Sequence, residues 1–224
     1  MARDRAHLIR VLPHQSEANR RTPWLWGAFE QLRAMLAARR PEDDCQQIDT
    51  TALPVKHTSR IRGADGWTGP GNDLAARFGR DTGHPEWFGF RLARQAGLGS
   101  RVVRAWRIVA AAVSAREVHL LQAGPSPRNL LCDRGFSGRV FAAAQALDGT
   151  AVLVPPATNQ RASMPADLLK ILAQGRNQIE ARCAEITEQT GLTRHGAHTF
   201  CRLLTRTTAT IDGHTLMRVC LAAT

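Results

Sequence analysis

The chain has no apolar run approaching the roughly 20 residues that a membrane-spanning helix needs. Its first ten residues, MARDRAHLIR, alternate charged and apolar side chains and so lack the apolar core of a secretory signal. The simplest expectation is a cytoplasmic protein with no membrane partner. Five cysteines, Cys45, Cys132, Cys183, Cys201 and Cys220, occur without a CxxC pair. An odd number of scattered thiols argues against a disulfide framework and for reduced cysteines. The Gly-rich stretch from Arg60 to Pro85 follows neither GxGxxG nor GK[ST], which argues against a nucleotide-binding loop. Lysine is nearly missing, with Lys56 and Lys170 the two present.

What is there is arginine. Thirty basic residues face 19 acidic ones, a net charge of +11 in 224 residues. Such a field attracts polyanions, nucleic acid first and anionic membrane surfaces second. Arginine is the better bidentate clamp for phosphate, although a GC-rich coding bias produces the same enrichment. Hydrophobic residues at 43% and charged residues at 22% describe a chain that folds. The length suits one main domain.

Residues 16–39 read as helical, split by Pro23, with Leu25, Phe29, Leu32, Met35 and Leu36 on one face after the proline. Residues 46–55 read as a strand, and 60–85 as loop. GWTGPGNDL, with Trp67, reads as a DNA-facing or a flexible surface loop. EWFGFRLARQ and RVVRAWRIVA are two strands joined by AGLGS, giving a three-stranded antiparallel start. SAREVHLLQA opens with Ser114 and Glu117 as a capping box and reads as a short helix. PRNLLC is a strand, SGRVFAAAQAL a helix and TAVLVP a strand. Residues 165–189 form a helix opened by Pro165 and closed by Gly191, and a last helix spans about 198–221. This order predicts an α/β fold, a mixed sheet of RNase H-like type with parallel strands added to the antiparallel three, flanked by helices.

Three carboxylates stand out on this frame. Asp49 lies inside the first strand, Asp133 ends the fourth, and Glu180 lies in the long helix. Ligands gather at strand ends near the switch in strand order, and converging carboxylates form the oxygen cage that a hard divalent cation prefers. Two such cations ~3.5–4 Å apart clamp the attacking and leaving oxygens of a phosphodiester exchange. Each residue also has a plain reading. Asp49 suits a turn, Asp133 suits a cap on the helix starting near Ser137, and Glu180 suits a solvated face paired with Arg176 or Arg182. His195, His198 and Cys201 stand three apart, a weak zinc spacing without a second pair. No histidine sits near Cys132 in sequence to make it a nucleophile.

QIDTT, LLCDRGFSGRVFAAA, VLVPPATNQR, RNQIEARCAEIT and the tail from Gly191 to Leu221 together resemble the DDE transposases of bacterial insertion sequences. The resemblance is collinear from about Leu12 to Leu221. It rests on an Asp in the first strand, an Asp-Lys/Arg-Gly-Tyr/Phe motif after the fourth, and an Arg-x-x-Ile/Val-Glu helix. It implies that Asp49, Asp133 and Glu180 are the catalytic, metal-holding residues. It also implies Mg2+ or Mn2+ as cofactor, as two ions, and DNA cleavage and strand transfer at the element's ends. Arg134 and Arg176 match basic positions beside the acids; Lys56, Arg60, Arg62, Arg139 and Arg182 join them as candidate DNA contacts. The implied partners are terminal inverted repeats and target DNA in a nucleoid-associated bacterial protein, with room for a homodimer or higher oligomer.

The chain departs from the family in having no tyrosine and in placing 48 residues before Asp49. Residues 1–45 read as the remnant of a DNA-binding helical module and 46–224 as the catalytic domain, a copy shortened at its N-terminus. The alternatives are a DNA-binding remnant or regulator of transposition without catalysis, and a structure-selective nuclease with the same core.

Overall fold

The computed structural model describes residues 25–57, 61, 67–69, 74–80, 86–118, 126–156 and 191–221, together with 165–167, 169, 170, 172–175, 177, 181 and 187. Among them are helix α1 (Trp26–Ala38) and strands β1 (Cys45–Lys56), β2 (Arg77–Gly79), β3 (Trp87–Gly97), β4 (Val103–Ala110) and β5 (Asn129–Cys132). Helix α2 (Arg139–Leu147), strand β6 (Ala151–Leu153) and helix α3 (Phe200–Leu221) follow. The described residues between 166 and 187 are helical, and Gly191, at φ 63°, turns the chain after them.

The strands form one mixed sheet in the order β2-β3-β1-β5-β6, with β4 pairing β3 beside β2. β3 runs antiparallel to β1, β2 and β4, whereas β5 runs parallel to β1 and β6 parallel to β5. The antiparallel β3–β4 pair follows from the short turn at 98–102, and the parallel β5–β6 pair from the α2 crossover between them. Pairing at the β3 to β4 turn is fixed by Asp43, whose carboxylate accepts the N–H groups of Gly99 and Ser100 at 2.9 Å each.

Alternation along the strands divides the core between two faces. On one, Leu53, Phe90, Leu92 and Ile108 pack against Leu192, Phe200, Leu203 and Ile211, so α3 lies over β3 and β4. Leu131 on the same face packs against Leu172 of the 166–187 stretch. On the other face Ile48, Leu130 and Cys132 pack against Phe136 and Phe141, which brings α2 onto β1 and β5. The sheet is therefore sandwiched between helical layers.

Helix α1 packs along α3 beside the β4 edge. Its buried residues are Arg33, Leu36 and Ala37, while Leu25, Leu32 and Met35 are exposed. Of the apolar stripe read from the 3.6 period, Leu36 is buried and Phe29 half-buried, while Leu25, Leu32 and Met35 are not. The winning interaction is a pair of arginine clamps. Arg33 Nη1 donates to the carbonyls of Val103 and Arg104 on the edge strand, and Arg104 donates back to Ala37, Arg40 and Pro41. The second set satisfies carbonyls that a helix C-terminus leaves without partners.

Two other readings change. Trp67 is buried in the main core, 6.4 Å from the ring of Phe90, and is neither a surface nor a DNA-facing side chain. The SAREVHLLQA helix is, among the described residues, a single 3-10 turn at Ala115–Glu117; Glu117 accepts the Ser114 N–H as the capping box requires. Residues 119–123 lie outside the described residues. No described helix is long and apolar enough to cross a membrane.

Candidate active site

β1 and β5 are central parallel strands, and their register pairs Ile48 with Cys132. Each is followed by an aspartate. Ile48 and Cys132 share the α2 face, so alternation turns Asp49 and Asp133 to the opposite face, at matched positions on adjacent strands. Asp49 is an interior strand residue and not a turn residue. Asp133 continues the extended backbone of β5 at φ −74°, ψ 166° before the 3-10 turn Arg134–Phe136, and its side chain makes no capping hydrogen bond. The cap reading is thereby withdrawn. Both aspartates are half-buried.

The residues after Asp133 hold that strand end in place. Arg134 Nη2 donates to the Pro156 carbonyl at 2.8 Å, linking it to the segment beyond β6, and Arg116 Nε donates to the Gly135 carbonyl at 3.3 Å. Gly135 needs no glycine conformation, and an added Cβ would meet Ala115 at an ordinary 3.8 Å. Phe136 anchors the turn against Phe141 at 5.6 Å between ring centroids. Cys132 is buried, its Sγ directed at the Leu130 carbonyl. Burial first, then the neighbouring Asp133 carboxylate, raises its thiol far above the ordinary range, so it is no nucleophile.

The helical residues Leu172 and Gly175 stand on the aspartate face. Leu172 packs on Leu131, two residues before Asp133, and Gly175 lies so close that a Cβ there would be 2.4 Å from Leu131 Cδ2. Glu180 itself lies outside the described residues, as do Arg60, Arg62, Arg176 and Arg182. Of the other candidate DNA contacts, Lys56 is half-buried at the end of β1 and Arg139 is exposed at the start of α2. Among the described residues no group of three or more His, Cys, Asp or Glu could hold a metal ion. The His195, His198 and Cys201 spacing makes no zinc cluster: His195 Nδ1 accepts the Ala197 N–H and Nε2 bonds the Pro54 carbonyl at 3.0 Å. Burial is the main cause lowering the His195 pKa.

Arg94 was not among the sequence candidates. It sits on β3 directly across from Asp49 and, on its other side, from Trp106. The signal was available in the alternation of FGFRLARQ, which puts Arg94 in phase with Phe90 and Leu92, the apolar face. His214, on α3, is a second missed residue. It is buried, and that burial, followed by the charges of Arg94 and Arg101, lowers its pKa to about 4.

No family model, curated protein or solved structure matches the chain.

Proposed function

We propose that the chain is a DDE-type transposase, cutting DNA at the ends of an insertion sequence and joining those ends to target DNA, with an RNase H-like fold. The observation that carries this reading is the register of β1 against β5. Its last pair is Ile48 with Cys132, so Asp49 and Asp133 are the next residues of the two strands, and the Asp133 side chain makes no capping hydrogen bond. Three antiparallel strands followed by two parallel ones, in the order β4-β3-β1-β5-β6, support the finer fold reading. Leu172, eight residues before Glu180 in sequence, packs on the aspartate face against Leu131.

The donor set fits a hard divalent cation, because both residues offer carboxylate oxygens from half-buried positions. Asp49, Asp133 and Glu180 would hold Mg2+ or Mn2+, which when bound neutralises charge on the attacking and leaving oxygens of a phosphodiester exchange. The chain's own part is positional. Two hydrogen-bonded strands fix the spacing of the aspartates, which is the preorganisation such catalysis depends on. Lys56, Arg60, Arg62, Arg134, Arg139, Arg176 and Arg182 are proposed to contact the DNA backbone. The proposed partners are terminal inverted repeats and target DNA, bound by a homodimer or higher oligomer.

The test is nicking of supercoiled plasmid by the purified chain with Mg2+ or Mn2+. Wild type is expected to nick; Asp49→Asn and Asp133→Asn are expected to lose at least about a hundredfold of that rate while still retarding DNA. Intact plasmid with wild type that nevertheless binds DNA would replace this reading with that of a non-catalytic binder or regulator.

A further inference from the structure

Among the described residues four buried arginines stand out, and three are engaged. Arg33 bonds Glu30 and two β4 carbonyls, Arg104 bonds the end of α1, and Arg91 Nη1 donates to Thr50 Oγ1 at 3.3 Å. Arg94 is different. It is 4% exposed, and neither Nη1 nor Nη2 has a hydrogen-bond partner. Two buried guanidinium nitrogens without acceptors are costly, and a bound anion would relieve that cost.

We propose that Arg94, with His214 and Arg101 near it, forms a phosphate-binding subsite beside the Asp49 carboxylate. Its place as part of the reacting centre rests on the transposase reading. The register places Arg94 level with Asp49, on the face that α3 covers and that Asp133 shares. α3 contributes His214, and the exposed Arg101 stands in the β3 to β4 turn. The groups sense one another. His214 is acted on by the charges of Arg94 and Arg101. A phosphate, with several oxygens matching the guanidinium fork, balances this positive set better than a single carboxylate does. Half-buried Asp49 keeps the floor of the subsite within reach of solvent.

The experiment uses the full chain in metal-free buffer, titrated with inorganic phosphate and, separately, with a short DNA duplex. Phosphate is expected to raise the melting temperature of wild type and of Asp133→Asn. In Arg94→Gln the phosphate affinity is expected to fall by about tenfold or more, with Arg94→Lys in between. For the duplex, a salt slope smaller by about one unit in Arg94→Gln identifies the ligand as a backbone phosphate. An unchanged slope together with a lost phosphate response identifies free phosphate instead. An equal phosphate response in Arg94→Gln and wild type overturns the subsite. Arg94→Met guards against a folding artefact: with the unsatisfied fork removed, it is expected to melt at or above wild type without phosphate. A melt far below wild type makes Arg94 a structural strut and also overturns the proposal. If Arg94-dependent phosphate binding persists in a protein that never nicks DNA, the subsite stands and the transposase reading falls.

Discussion

Asp212 stands on the inner side of α3, 5% exposed, with neither carboxylate oxygen hydrogen-bonded. Its pKa is raised to about 6, by burial first and by the nearby Glu30 on α1 second, with Arg33 opposing both. A carboxyl whose folded pKa exceeds its unfolded value binds its proton more tightly when folded. Its contribution to stability is therefore full below the ordinary value of 3.8 and is lost as pH rises through about 6. Asp212→Asn keeps the shape and abolishes the ionisation. It should raise the melting temperature at pH 8 and leave it nearly unchanged at pH 4; an equal gain at both would sink the explanation. This acid was not legible in TATIDGHT, where it reads as one polar residue of a mixed helix. The places of Asp49 and Asp133 were legible because the first lies inside a strand pattern and the second ends an apolar run. The buried arginines misled for the opposite reason: charge was counted without the strand phase that turns Arg94 inward.

At the scale of elements, strands with a clear alternation or an unbroken apolar run emerged almost where the sequence put them. β1 covers 45–56 against an expected 46–55, and α2 and α3 match their patterns within two residues. β2 was read as loop because three residues carry no periodicity, and its extended form comes from pairing with Trp87–Gly89, a tertiary contact. The buried face of α1 was read only in part because the decisive group is Arg33, whose methylene stem and fork fill the contact with β4. The reciprocal clamp from Arg104 yields its own expectation. Arg104→Met leaves the carbonyls of Ala37, Arg40 and Pro41 without these donors, and should cost about 2–3 kcal/mol, read as a lower urea midpoint with an unchanged m-value. A loss confined to a few tenths would mean that water replaces the guanidinium there.

For the whole molecule, the net charge of +11 overstates what a polyanion meets, since Arg33, Arg91, Arg94 and Arg104 are buried. Three of them serve packing, so composition alone overstates the positive surface. The same interior positive charge limits tolerance of acid. His214 is buried on α3, with Arg94 on β3 and Arg101 in the β3 to β4 turn as the cations that act on it. Its folded pKa of about 4 lies below the ordinary 6.5. Folding therefore binds fewer protons at this site, and the stability tied to the neutral ring is present above 6.5 and lost as pH falls through about 4. His214→Gln keeps a polar side chain that cannot charge, so its stability should fall less than that of wild type between pH 6.5 and 4, measured as urea midpoints across that range. Parallel curves for the two proteins would mean that another group controls acid unfolding. Inorganic phosphate bound at Arg94 would shield His214 from its cationic neighbours, so the acid loss in wild type should shrink when phosphate is present. In Arg94→Gln added phosphate should make no difference, which ties the pH response of the whole fold to one unsatisfied guanidinium.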